Sequence, residues 1–305
     1  MTRKNLVSGL GWITLTILCW APLFSVAKRT LPSIDPFTLG TLRYVLGVVL
    51  LALLLVAVEG RQAMRYEGRF LAAAAFGVVG ITGFNLFLWI GLLFTMPEHA
   101  AVINALQTPL TALTVWLLRG QRPSSVTPGC VAMAILGVVL VVTRGNPADA
   151  AQGGALLGDL LMLLGSISWV SYTFAASYFT GWSALRISAL TCIPGLAGLF
   201  IANLIAVVAG WARMPSLHTL SGLTWQIVYL SVCTVVLGVL GFNNAARKLG
   251  PLNTMVMLNT IPVLVFAIKA WLGRSFSAVE LAGAGIVVAA LIANNLYLRG
   301  VSTRR

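Results

Sequence analysis

The sequence predicts an all-α membrane protein: ten transmembrane helices, arranged as two inverted five-helix repeats around a central cavity. Three observations carry that expectation. First, the 305 residues are 59% hydrophobic and 9% charged, whereas a soluble domain carries about a quarter charged residues. Such a chain cannot cover a water-facing surface. Second, the chain holds nine uncharged runs and a tenth containing a single arginine, most of them near the roughly 20 residues that a helix needs to cross hydrocarbon. Third, the phrase LQTPLTALTVWLLRG at 106–120 returns as LNTIPVLVFAIKAWLG at 258–273, half a chain later.

The runs are 6–27, 37–58, 70–97, 100–118 and 123–143 in the first half, and 160–185, 187–212, 214–246, 249–268 and 281–298 in the second. They are apolar all round and lack the alternation of a barrel strand, so helices follow. Connections are short, and no soluble domain fits between spans. The first run follows Arg3 and Lys4 and ends in Ser25-Val26-Ala27, a sequence that also suits signal cleavage. It is longer than the roughly 7–15 residues of a signal h-region, and the repeat requires it, so it is read as the first span. The run 37–58 contains Arg43.

The internal match gives each half the same punctuation. Pro109 pairs with Pro262 (262 − 109 = 153), and Gly120 with Gly273 (273 − 120 = 153). Gly9 pairs with Gly158 and Trp20 with Trp169, both at 149 (158 − 9; 169 − 20). The expected repeats are 6–143 and 156–299. Five is odd, so the second repeat enters the membrane from the opposite side. Inverted repeats are a plan of secondary transporters, which place the site near the midplane between the halves.

The net charge is +13, yet its distribution does not point to nucleic acid. With a cytoplasmic N-terminus, cytoplasmic segments hold 12 Lys and Arg against 5 outside. That bias puts both termini in the cytoplasm. The four cysteines, Cys19, Cys130, Cys192 and Cys233, fall in apolar runs without a CxxC and read as small core residues.

Several of these residues carry a resemblance. Trp20-Ala21, Asp35-Pro36 with Leu42-Arg43, the Pro109 and Pro262 phrases with Gly120 and Gly273, and Gly158-Asp159-Leu160-Leu161 with Trp169 resemble the drug/metabolite transporter superfamily in its ten-span EamA form. The resemblance covers about residues 6–298 and is specific for fold, weak for substrate. It implies a bacterial inner-membrane exporter of amino acids, aromatic ones included. One departure stands out. The family often carries Glu after the glycine that ends spans 4 and 9, where this chain has Gln121 and Arg274.

Candidate residues for transport follow from polarity inside spans. Pro109 and Pro262 kink their helices and free the carbonyls of Ala105 and Leu258, which face a wet cavity or are plain packing kinks. Asn104, Gln107, Thr108 and Thr111 share an arc of about 100° on span 4. They line a cavity or bond to neighbouring helices. Asn259 and Thr260 occupy the matching depth in span 9, and Asn85 lies mid-span 3. Trp20 and Trp169 line a pocket or pack the core, with the Tyr172 hydroxyl one turn on. Lys269 binds a carboxylate or snorkels to the interface, and Arg43 and Arg186 read as snorkelling too. Asn243, Asn244, Asn294 and Asn295 near span ends are weaker candidates.

The acids are Asp35, Glu59, Glu67, Glu98, Asp149, Asp159 and Glu280, and none is expected mid-membrane. Glu98, Asp159 and Glu280 read as helix-start residues, and only His99 approaches a proton site. The expected function is therefore export of neutral and aromatic amino acids by alternating access, facilitated rather than proton-coupled. The alternative is a multidrug or other-metabolite efflux carrier. An intramembrane enzyme would need a nucleophile–base pair, paired carboxylates or metal ligands within spans, and the sequence offers none. No cofactor or metal is expected. The expected partners are a small-molecule substrate and the lipid bilayer, and a monomer suffices.

Overall fold

The computed structural model describes residues 3–120, 127–144, 146 and 155–302. Gln121, Arg122, Ser124 and Asp149 lie outside the described residues. Every regular element among those described is helical. The first span is α1 (Arg3–Trp20) and α2 (Leu23–Thr30), with Pro22 at their junction. Then come α3 (Pro36–Glu59) and α4 (Phe70–Phe94). The fourth span is α5 (Pro97–Ala105) and α6 (Gln107–Arg119), and the fifth α7 (Thr127–Thr143). The second half holds α8 (Ala155–Thr173), α9 (Ala184–Val208), α10 (Thr224–Leu249), α11 (Pro251–Leu258), α12 (Thr260–Trp271) and α13 (Ala278–Ser302).

By length and composition, seven helical stretches are apolar enough to cross a membrane: Asn5–Thr30, Pro36–Glu59, Phe70–Phe94, Ala155–Tyr178, Ala184–Val208, Thr224–Leu249 and Asn253–Trp271. Gly129–Thr143 and Ala278–Ala290 are shorter apolar helices. The stretch expected as span 4 is broken into two helices at Leu106.

Local chemistry explains these boundaries. Asp35 caps α3 by accepting the Thr38 N–H at 2.8 Å, and Pro36 occupies the first turn, where its missing N–H costs nothing. Gly120 and Gly273 end spans 4 and 9 with φ of +65° and +88°, a conformation that disfavours any side chain. The breaks at Leu106 and Asn259 each stand three residues before a proline (109 − 106; 262 − 259). The proline ring clashes with the carbonyl four residues earlier, and the helix ends there.

The packing is symmetric in the numbering of the spans. Span 1 packs on 8, 3 on 6, 2 on 7, 4 on 9 and 5 on 10. Adding five to every number maps this set onto itself. The expected internal match has the same pairing. An added Cβ on Gly9 would strike Leu249 of span 8, and one on Gly158 would lie 2.8 Å from the Gly91 carbonyl of span 3. The sequence offered no sign of one further correspondence. Phe76–Gly83 in span 3 and Tyr229–Leu237 in span 8 are both wound as π-helix, and their starts differ by 153 (229 − 76). Such segments are rare and concentrate at functional sites.

Spans 5 and 10 meet at Gly137 and Gly283. A Cβ on Gly137 would stand 2.6 Å from the Gly283 carbonyl and 3.0 Å from the Val287 N–H, both backbone atoms that cannot rotate away. Gly137→Ala is therefore expected to destabilise the protein by about 1–3 kcal/mol. Gly285→Ala, on α13 two residues beyond Gly283 and with nothing within 4 Å, should be neutral or mildly stabilising. Thermal unfolding of the two variants in detergent checks this difference.

Candidate functional site

Between the halves lies a cavity of ≈ 60 Å³. Its wall holds Trp20, Leu23 and Phe24 of the first span, Arg43 and Tyr44 of α3, and Phe84 of α4. Spans 4 and 9 contribute Ala101, Asn104, Ala105, Gln107, Met255, Leu258, Asn259, Ile261 and Pro262. Trp169, Thr234 and Val239 complete it. Ligand pockets begin near 300 Å³, so a metabolite enters only if the helices spread.

The two repeat-paired tryptophans meet there. The Trp20 and Trp169 rings stand edge to face with centroids 5.3 Å apart. Phe84, Tyr172 and Phe242 surround Trp169 at 5.1, 4.9 and 5.3 Å. Trp20 donates its indole N–H to the Thr234 carbonyl at 2.9 Å, inside the π-wound segment. A Cβ on Gly238 would collide with the same indole nitrogen, so glycine there is what lets Trp20 sit against α10.

The polar wall comes from the two broken helices. Asn104 Oδ1 accepts from Gln107 at 2.7 Å and from Ser166 at 3.0 Å. Thr108 donates to Asn259 Oδ1 at 3.1 Å, joining spans 4 and 9. Asn259 Nδ2 has no partner. Ala105 and Leu258, whose carbonyls the prolines free, both line the cavity. Pro262 does as well, while Pro109 faces a separate apolar groove of ≈ 750 Å³ among α5, α6, α7 and α8.

Other residues selected from sequence stand elsewhere. Tyr172 is fully buried behind Trp169, bonded to Asn243 at 3.0 Å and to Thr191 at 3.1 Å. Asn85 is fully buried and donates to the Ile81 carbonyl at 2.7 Å. Thr260 is exposed, because the break at Asn259 turns it outward. Lys269 is half-buried near the end of α12, outside the cavity wall.

Two expectations need correction. Arg43 does not snorkel. It is 3% exposed and lines the cavity, because it stands seven residues into α3 (43 − 36), roughly 10 Å from the helix start. The acids also differ from expectation. Asp159 is not a helix-start residue; it lies inside α8, buried, accepting from Thr95 at 2.5 Å with its other oxygen 3.8 Å from His99 Nδ1. Glu98 and Glu280 do lie in first turns, yet both are buried.

Ion pairs tie both ends. At one end Arg274 pairs with the fully buried Glu98 and, at 3.0 Å, with Glu280, which Arg144 approaches at 3.4 Å. That cluster joins spans 4, 5, 9 and 10. Lys28 donates to the Thr95 carbonyl at 2.8 Å, joining span 1 to the end of span 3. At the other end Glu67 accepts from the Trp182 indole at 2.9 Å and pairs with Arg186 at 2.9 Å. The Trp182 hydrogen bond, then Arg186, hold the Glu67 carboxyl below the usual carboxylate range. Tyr44, Phe84 and Thr234 are cavity residues that sequence reasoning passed over, and Arg43 is one that it placed at the interface. Arg43 had one signal, as the lone charge in its run.

Comparisons with known proteins agree with this architecture. Residues 7–143 and 156–296 each match the EamA-like transporter family. An uncharacterized transporter, YrdR, of Bacillus subtilis (strain 168) is 27% identical over 303 residues, covering 98% of this chain and 94% of its own. The uncharacterized inner membrane transporter YedA of Escherichia coli (strain K12) is 22% identical over 294 residues, 96% of this chain and 92% of its own. A crystal structure shares the fold, with a TM-score of 0.69 at 18% identity, covering 97% of this chain and 99% of that one.

Proposed function

The chain belongs to the EamA-like transporter family and is a membrane transporter, and on that premise we propose that it exports small metabolites, neutral and aromatic amino acids above all, across the bacterial inner membrane. The observation that carries this reading is the cavity wall. Tryptophans from both repeats form an apolar lining, and amides from the two broken helices supply polar partners. An amino acid needs both kinds of surface. The route in this reading is alternating access: ion pairs join the spans at either end of the protein, and breaking each in turn would open that end. The Lys and Arg bias supports cytoplasmic termini, and the family resemblance supports the inner membrane.

Uptake of labelled amino acids by proteoliposomes holding only this protein tests the reading. With no counter-substrate and no ion gradient, saturable uptake of several neutral or aromatic amino acids is expected, reduced at least severalfold in Asn104→Ala. Absence of uptake under every gradient would remove the amino-acid assignment and favour efflux of drugs or other metabolites.

Facilitated transport remains the primary reading, since no carboxylate stands in the central cavity wall among the described residues. One observation favours a proton-linked version. Asp159 and His99 form a buried carboxylate–imidazole pair near one end of the protein, and such groups recur in proton relays. Flux that collapses when the pH gradient alone is removed would select the proton-linked version.

A further inference from the structure

The geometry points to Arg43 as the anchor for a carboxylate on the transported molecule. This deepens the amino-acid reading and rests on it for the location of the site. Arg43 is 3% exposed and lines the central cavity. Its guanidinium carbon lies over two aromatic rings, 5.2 Å from the Tyr44 centroid and 5.0 Å from that of Trp89. Of the five N–H donors of a guanidinium, the structure uses one, from Nη2 to the Thr234 hydroxyl at 2.8 Å. Nε and Nη1 have no partner, and no carboxylate pairs with Arg43 among the described residues.

A buried charge without a counter-charge is costly in a membrane interior. The other buried or half-buried acids and bases with close partners here stand in pairs or clusters at the ends of the spans. Among the described residues of the cavity wall, Arg43 is the charged one, and no acid pairs with it. Nη2 carries two hydrogens, one beside Nε and one beside Nη1. Whichever Thr234 takes, the other completes a fork with a free neighbour, the geometry that holds a carboxylate in two parallel hydrogen bonds. The rest of the wall agrees in sign. The buried side-chain atoms of the wall without a partner are Arg43 Nε and Nη1 and Asn259 Nδ2. These three are donors, which suits a ligand group made of acceptors, while the freed carbonyls of Ala105 and Leu258 suit an ammonium. Trp20 and Trp169 then face the apolar remainder of the molecule. A lipophilic cation would meet a fixed positive charge in this cavity and is disfavoured.

The test uses the purified full chain, as wild type, Arg43→Gln and Arg43→Lys, with three matched probes: L-phenylalanine, 3-phenylpropionate, which has the carboxylate without the amine, and L-phenylalaninamide, which has the amine without the carboxylate. Both carboxylates are expected to raise the wild-type thermal midpoint in detergent, and the amide is not. Arg43→Gln is expected to unfold at or above the wild-type temperature without ligand, because an uncompensated buried charge has been removed, and to lose the response to both carboxylates. In proteoliposomes its KM for phenylalanine should rise on the order of tenfold or more. Arg43→Lys, which keeps the charge and loses the fork, should fall between the two. An Arg43→Gln protein that responds as the wild type does, an amide response equal to the acid response, or no wild-type response to either carboxylate overturns the proposal. So does a fall in the unliganded midpoint of Arg43→Gln, which would assign Arg43 to structure. Phenylalanine uptake unchanged by Arg43→Gln removes the anchor and keeps the amino-acid reading. An Arg43-dependent response to phenylpropionate alone keeps the anchor and removes that reading.

Discussion

Arg274→Leu is expected to lower the thermal midpoint of the protein through a loss of about 3–5 kcal/mol. Glu98 is fully buried, and Arg274 is its ion-pair partner. The Glu98 side chain has no hydrogen bond otherwise. Removing the arginine strands a carboxylate where neither water nor a donor reaches it. The reverse change, Glu98→Gln, should cost less, since Arg274 is partly exposed and keeps Glu280 at 3.0 Å. The double variant should recover much of the loss, because neither charge is then left alone. A functional effect should accompany it. The cluster joins spans 4, 5, 9 and 10 at one end, so Arg274→Leu favours the state open at that end. Labelling of a cysteine placed in the cavity wall, from each side of the membrane in turn, reads that shift. Equal midpoints for Arg274→Leu and wild type would show that the cluster carries no stability.

Trp169→Ala should cost about 3–5 kcal/mol and also remove transport. Trp169 is 3% exposed and packs against Trp20, Phe84, Tyr172 and Phe242. Its loss opens a void that these neighbours cannot fill without leaving their own partners. Tyr172 is held by Asn243 and Thr191, and Trp20 by the Thr234 carbonyl. Trp169→Phe should restore most of the stability and part of the uptake. Proteoliposome uptake together with the thermal midpoint separates the two effects. A Trp169→Ala protein that transports at the wild-type rate would exclude this ring from the substrate path.

The candidate site was legible from sequence where the backbone or the repeat marked it. Trp20 and Trp169 are found by their common offset, and both stand in the cavity wall. Asn104, Gln107 and Asn259 are polar groups in apolar runs, a placement that lipid penalises, and they also line it. Thr260 sits beside Asn259 in sequence, yet the break in the helix turns it outward. Arg43 looked like an interface residue because sequence distance from a span end is a poor measure of depth when neighbouring helices cover that end. The π-wound segments were invisible, since neither contains a proline; the glycines of Phe76–Gly83 are common in membrane helices, and Tyr229–Leu237 has none.

The sequence by itself determined the solvent, the class of fold and the punctuation. Hydrocarbon requires apolar helices of set length, and the backbone obeys proline and glycine wherever they stand. Only the tertiary structure decided which charges are buried and which are paired. Glu98 finds Arg274 across 176 residues (274 − 98), Asp159 finds His99, and Arg43 finds two aromatic rings and no acid. Such pairings depend on which faces of distant helices meet. Helix faces are set by packing among all the spans, so no local stretch of sequence records them.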